Sequence, residues 1–239
     1  MKFLSLFHLL LRAGLALTVW QYTATATAQS VQADEWISYR SAYKLMLQFE
    51  KYGKPKHLLQ SHLQLANAQG QALLDTQINL IAKTSQIGLQ IDPLGRVKLP
   101  LIKTAYDENA ELRLAGPVSG LQMRLSLALN VAYDGHFDAN QLKLACEQAL
   151  NFYMSVGDKR AQQKRCLAII LVYPGNVKMT APMLKNEQNQ TSYLTAPDLN
   201  YAEPGLKGQI SYWIKLSQLS DKAQIISQQA PFAVLPVIE

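Results

Sequence analysis

The chain has 239 residues, 49% of them hydrophobic and 17% charged, with a formal net charge of +6. That is enough chain for one large domain or two small ones with a real core. A charge this mild, without a dense Lys/Arg stripe interleaved with aromatics, argues against a nucleic-acid-binding protein.

The first 28 residues set the expected location. Lys2, His8 and Arg12 form a loosely basic start, an apolar run follows from Ala13 to Trp20, and Ala26-Thr27-Ala28 fits the small-residue cleavage pattern of a secretory signal peptide. An uncleaved span would place Arg12 at mid-membrane, at a cost of about 2.5–3.5 kcal/mol. Gln29 follows the cleavage site, so no lipid attachment is implied. Cleavage leaves 239 − 28 = 211 residues and, with Lys2 and Arg12 gone, a charge of +4. The expected location is periplasmic or secreted, with no transmembrane segment in the mature chain.

Residues 29–56 read as a helical segment. Tyr39, Ala42, Tyr43, Met46 and Phe49 share one helical face, Ser38 stands at the N-cap, and Gly53 and Pro55 supply the stop. From His57 the period changes to two. Leu59, Leu63 and Leu65 oppose Gln60, His62 and Gln64; Thr76, Ile78, Leu80 and Ala82 continue the alternation, then Ile87, Leu89 and Ile91. Asp92-Pro93-Leu94-Gly95 reads as a tight turn. Val97, Leu99 and Leu101 alternate with Arg96, Lys98 and Pro100, and Pro100 makes this an edge strand or one that ends early. Residues 104–110 read as a loop. The clearest strand carries Leu121, Met123, Leu125, Leu127, Leu129 and Val131 on one face and Gln122, Arg124, Ser126 and Asn130 on the other, as for a strand with one wet face. No internal repeat of fixed period is visible.

The segment Ile91-Asp92-Pro93-Leu94-Gly95-Arg96-Val97 resembles the D-x-x-G-x-[FV] hairpin of carboxypeptidase-regulatory-like, transthyretin-like sandwich domains, with Val97 where an aromatic is commoner. The resemblance covers residues 57–131. It implies an antiparallel sandwich of immunoglobulin type and an accessory or binding role.

Residues 132–239 read as an α+β region. Asp138 is an N-cap with Gln141 at capping-box spacing, Phe137 and Leu142 occupy the staple positions, and Gly157 is the C-terminal stop. Cys146 lies on the apolar face of this helix. Cys166 opens an apolar strand to Tyr173, and an even cysteine count in an exported chain predicts a Cys146–Cys166 disulfide. Residues 176–208 read as a long loop containing the sequon Asn189-Gln190-Thr191. Strands are expected over 209–216, 223–228 and 232–238. The expected fold class is therefore mainly β with helices: a sandwich at 57–131 and an α+β C-terminal part.

Candidate chemistry is sparse. Asp134-Gly135-His136-Phe137-Asp138 permits a general base at His136 oriented by Asp134, or a set of metal ligands. The structural account is simpler: Asp138 caps, Phe137 staples, and Asp134-Gly135 turns. His57 and His62 are too poorly spaced to share a metal, and His62 reads as solvated beside Gln60 and Gln64. Asp107, Glu108 and Glu111 read as a solvated acidic loop. Lys159, Arg160, Lys164 and Arg165 form a basic patch suited to polyanions or lipid headgroups. Tyr193, Tyr201 and Trp213, with Tyr212, are candidates for a sugar or peptide platform. No cofactor or metal is expected. The leading expectation is a non-enzymatic exported binding or envelope-accessory protein, its partner an envelope protein or polysaccharide. The alternatives are a hydrolase built around His136 and a polyanion binder.

Overall fold

The computed structural model describes residues 36–74, 76–116, 120–131, 134–157, 165–196 and 205–238. Its first half runs β1 (Trp36–Ser38), α1 (Tyr39–Glu50), β2 (Leu59–Ala66), β3 (Ile78–Ile81), β4 (Gln86–Leu89), β5 (Arg96–Val97), α2 (Lys103–Asp107), β6 (Glu111–Leu114) and β7 (Gln122–Leu129). The second half runs β8 (His136–Asp138), α3 (Ala139–Ser155), β9 (Cys166–Tyr173), β10 (Met183–Lys185), β11 (Thr191–Tyr193), β12 (Ile210–Lys215), a 3-10 turn (Leu216–Gln218), β13 (Gln224–Ile226) and β14 (Ala233–Ile238). Among the described residues the fold is thus mainly antiparallel β with three α-helices.

The second half repeats the first, element for element. In the first half the strand orders are β1-β6-β3-β4 and β5-β2-β7; in the second they are β8-β13-β10-β11 and β12-β9-β14. Local contacts repeat as well. The first N–H of α1, at Tyr39, donates to Ala110 O (3.1 Å), and the first N–H of α3, at Ala139, donates to Ala223 O (3.0 Å). The buried positions Tyr39, Ala42, Met46 and Phe49 of α1 match Ala139, Leu142, Cys146 and Ala149 of α3. Sequence inspection shows no repeat because the period is not fixed. Ser38 and Asp138 lie 100 residues apart and Ala110 and Ala223 lie 113 apart, so insertions between equivalent elements destroy any constant spacing.

Both helices pack on the three-stranded sheets. Helix α1 lies on β2 and β7, α3 lies on β7, β9 and β14, and β7 and β14 lie against each other. One continuous apolar core joins the halves, with Tyr39, Leu63, Leu127, Phe152, Ile169 and Val234 among its members. Sheets β1-β6-β3-β4 and β5-β2-β7 both feed it, through Leu80 and Leu112 from one and Leu65 and Leu125 from the other. Cys146 and Cys166 are bridged, with Cα atoms 6.0 Å apart, tying α3 to the start of β9.

The local signals for α3 are realised. Asp138 Oδ1 accepts from the N–H groups of Asn140 (2.9 Å) and Gln141 (3.2 Å), Phe137 and Leu142 are buried, and Gly157 takes φ +71°. Ser38 sits at the N-cap of α1, but its side chain makes no capping bond. The 92–95 turn forms as expected: Gly95 N–H donates to Asp92 O (2.9 Å) with Gly95 at φ +71°. A Cβ on Gly95 would stand 2.7 Å from Ala72 Cβ, so only glycine fits. β5 ends at Val97 and is the edge of its sheet, consistent with Pro100 downstream.

Three expectations require correction. Residues 104–110 are not a plain loop: α2 makes one turn that docks Tyr106 on Tyr43, ring centroids 4.8 Å apart. Segment 176–208 is not all loop either, because β10 and β11 form a hairpin within it. Asn186 Oδ1 shapes its tip by accepting from Gln188 N–H (3.0 Å) and Gln190 N–H (2.9 Å). Strands of three residues carry too little periodicity to be read. Finally, the second face of β7 is wet only toward its ends, where Gln122 and Asn130 are exposed and Arg124 is partly so. Ser126 is only 5% exposed and Ala128 is buried. Alternation shows that two faces differ in chemistry, and neighbouring chain then covers this one.

Candidate functional site

Alternation places Leu59, Leu63 and Leu65 of β2, and Leu125, Leu127 and Leu129 of β7, in the core. Gln60, His62, Gln64, Arg124, Ser126 and Ala128 therefore share the opposite face. The ladders assemble them into rows. Arg124, Gln64 and Arg96 lie side by side across β7, β2 and β5, and Ser126 and His62 form the next row, which Lys98 extends just past the end of β5. The 92–95 turn folds back over this face, with Leu94 O accepting from Gln64 Nε2 (3.0 Å) and Gly205 lying against Leu94.

The hydrogen bonds form a chain. Arg124 Nε donates to Gln64 Oε1 (2.8 Å), tying β7 to β2. Arg96 Nε and Nη2 each donate to Asp92 Oδ2 at 2.7 Å. Asp92 Oδ1 is fully used by the N–H groups of Leu94 and Arg96, both 2.9 Å. Arg96 is only 3% exposed, and its Nη1 has no hydrogen-bond partner among the described residues. An unpaired buried donor of this kind costs about 1–3 kcal/mol, more on a charged group. His62 Nδ1 is likewise shut off from solvent and unpartnered. Burial pushes the His62 pKa down to about 4, reinforced by the cations Arg96 and Lys98 and opposed by Asp92. The imidazole is therefore neutral at pH 7 and is not the solvated side chain that its neighbours in sequence suggest.

The folded-state pKa of His62 lies below the ordinary value of 6.5, so the unfolded chain binds a proton first as pH falls. Stability carried by neutral His62 is present above pH 6.5 and is lost between 6.5 and about 4. We predict that urea denaturation at pH 7, 5.5 and 4.5 shows an acid loss of about 2 kcal/mol in the wild type. His62→Ile should lack that component. Equal pH slopes in the two proteins would refute the assignment.

The second half provides an internal control. On the corresponding face of its three-stranded sheet the rows are Ala233, Val172 and Ser211, then Leu235, Ile170 and Trp213, then Val237, Ala168 and Lys215. The central and inner strands of this face are apolar throughout, and Ala168, Ile170, Val172, Ala233, Leu235 and Val237 form one buried cluster with Leu94 and Ala128. One architecture thus carries a charged, hydrogen-bonded face in its first copy and an apolar face in its second. No protein-family profile, curated protein or solved structure matches this chain, so the contrast between its own halves is the available comparison.

The residues singled out from sequence are dispersed. His136 is exposed on β8, and Asp134 Oδ1 accepts from the His136 backbone N–H (2.8 Å), a turn contact that leaves the imidazole out. Among the described residues no three His, Cys, Asp or Glu side chains converge on a metal-sized site. Asp107 pairs with Lys103, Glu111 with Arg113, and Glu108 Oε2 accepts from Lys83 N–H. Arg165 is exposed, whereas Lys159, Arg160, Lys164 and Tyr201 lie outside the described residues. Tyr193 is 63% exposed on β11. Tyr212 and Trp213 point to opposite faces of β12, Tyr212 against Tyr173 and Trp213 against the apolar cluster. Sequence reading took His62 as solvated beside Gln60 and Gln64 and the Arg124 face of β7 as wet, and set Arg96 only in alternation with Val97. The signal that would have found the site is the coincidence of polar residues on three strands, and that needs the non-local pairing of 64 with 96 and 124.

Proposed function

We propose that this is an exported, non-enzymatic binding protein of the cell envelope, with its ligand site on the charged face of β5-β2-β7. The observation that carries this reading is the contrast between the halves. The second half completes the same strand order with an apolar, buried face there, and this contrast favours a ligand role for the polar rows of the first half. The signal-like leader and the disulfide support export to an oxidising compartment, the periplasm. No described helix is long and apolar enough to cross a membrane. The sandwich-like reading of residues 57–131 is part of this proposal, supported by the two sheets that share one apolar layer.

The test is capture of envelope components on immobilised wild-type, Arg124→Gln and His136→Ala proteins. Capture should be lost in Arg124→Gln and kept in His136→Ala. The opposite pattern, joined to a hydrolytic activity that needs His136, would establish the hydrolase instead. Export itself is checked by mass spectrometry of the mature chain, expected to begin at Gln29; an intact leader in the membrane fraction would contradict it.

A further inference from the structure

We propose that the outer edge of β4 pairs antiparallel with β4 of a second copy of this chain, centred on Gly88, so that two four-stranded sheets join into one. The pairing is independent of the binding role above. β4 ends its sheet in the order β1-β6-β3-β4, and among the described residues no strand pairs with its outer side. The ladder fixes what that edge presents. Ala82 N–H donates to Ser85 O (2.9 Å) at the turn, and bonded pairs alternate from there, so the N–H and C=O groups of Ile87 and Leu89 bond to β3. Those of Gln86 and Gly88 point away from the sheet, and Gln90 continues the alternation.

Gly88 is not explained within one chain. Its φ lies outside the left-handed region, its pairing with Asn79 is regular, and a Cβ there would meet only Asn79 Oδ1 at 3.7 Å, an ordinary contact. A glycine inside a strand weakens it; with no turn, bulge or crowding to require it, it marks the close approach of another backbone. The edge is also unguarded. No residue from Thr84 to Ile91 is charged or a proline, and an open trough lies over Gly88 and Gln90. Other edges are protected: β5 carries Arg96, β1, β8 and β11 are only three residues long, and Trp213 N–H of β12 donates to Thr195 O (3.2 Å).

The sequence of the edge selects the occupant. Gln86-Ile87-Gly88-Leu89-Gln90 reads nearly alike in both directions, as Ile and Leu are close in size and polarity. Antiparallel pairing about Gly88 sets Gly88 opposite its own copy, Ile87 opposite Leu89 of the second copy, and Gln86 opposite Gln90 of the second copy. Ile87 and Leu89 are half-buried on the core side of the sheet, and their apolar pairs cover what one chain leaves open. Gln86 and Gln90 are exposed on the outer side, where amides can both donate and accept. No like charges meet. The paired edge is short against the roughly 1,200–2,000 Å² of a standard interface, so the dimer is weak and concentration-dependent.

The experiment is sedimentation equilibrium of the exported protein over a wide concentration range, joined to site-directed cross-linking. The wild type should show a reversible monomer–dimer equilibrium. Gly88→Lys sets like charges opposite each other at an exposed position and should weaken dimerisation tenfold or more at an unchanged melting temperature. Mixing Gly88→Lys with Gly88→Glu should restore it. Gln86→Cys and Gln90→Cys read the register. Mixed under mild oxidation, the two single variants should form a disulfide-linked heterodimer. Neither should link to itself, because each position lies about 14 Å from its own copy in this register. A monomer at every concentration overturns the proposal and leaves the edge to an extended segment of another protein. A dimer undisturbed by Gly88→Lys, or self-linking of Gln86→Cys equal to the mixed product, places the contact elsewhere and overturns it too.

Discussion

Leu127→Asp leaves the chain unfolded. Leu127 is 2% exposed in the core beneath α3, and its N–H donates to Tyr153 Oη of that helix (3.1 Å). Its neighbours on that face, Leu125 and Leu129, are apolar and buried, so a carboxylate would enter with no cation to pair with. The Leu→Asp change removes about 2–5 kcal/mol of packing and adds several more for desolvating the charge. That total approaches the whole stability of an ordinary domain. The expected result is loss of cooperative melting by circular dichroism. A folded variant with near-native melting would show that β7 is turned over, because a slip of one residue exchanges its two faces.

Removing the disulfide is the second large effect. Cys146 is completely buried against the sheet and Cys166, 20 positions on in the sequence, opens β9. Closing a loop of that length stabilises by roughly 3 kcal/mol in the chain-entropy picture, and native bridges commonly contribute about 2–5 kcal/mol. We expect the double variant Cys146→Ser/Cys166→Ser to lower the urea-denaturation free energy by that amount. The bridge closes across 158–164 between α3 and β9, whereas the first half joins α1 to β2 with no bridge. The loss should therefore fall on the second half first, as earlier amide exchange in α3 and β9 than in α1 and β2. Unchanged stability, or uniform exchange, would count against it.

What could be read from the sequence was what is encoded locally. Helix α3 was legible because Asp138, Phe137, Leu142 and Gly157 each act within a few residues of their partners. The 92–95 turn was legible because Pro93 and Gly95 set their own backbone angles. The Cys146–Cys166 bridge followed from compartment and count. The charged face was misread because Gln60, His62 and Gln64 alternate as a solvated face does, and their burial depends on the 92–95 turn and on Gly205, far off in sequence. The repeat was invisible for a related reason. Matching positions of α1 and α3 keep burial but not identity, as with Met46 and Cys146, and the same face of the three-stranded sheet is charged in one half and apolar in the other.

The central claim is that the polar rows of β5-β2-β7 serve binding and are dispensable for the fold. Equilibrium urea denaturation of Gln64→Val/Arg124→Ala tests it directly, because residues of this apolar kind, such as Val172 and Ala233, fill the same face of the second half's sheet. The Arg124–Gln64 hydrogen bond loses both partners at once, and on this account stability should stay within about 2 kcal/mol of wild type, with a single cooperative transition. A loss above about 4 kcal/mol, or a broadened transition, would show that the charged rows hold the first half together and would contradict the claim.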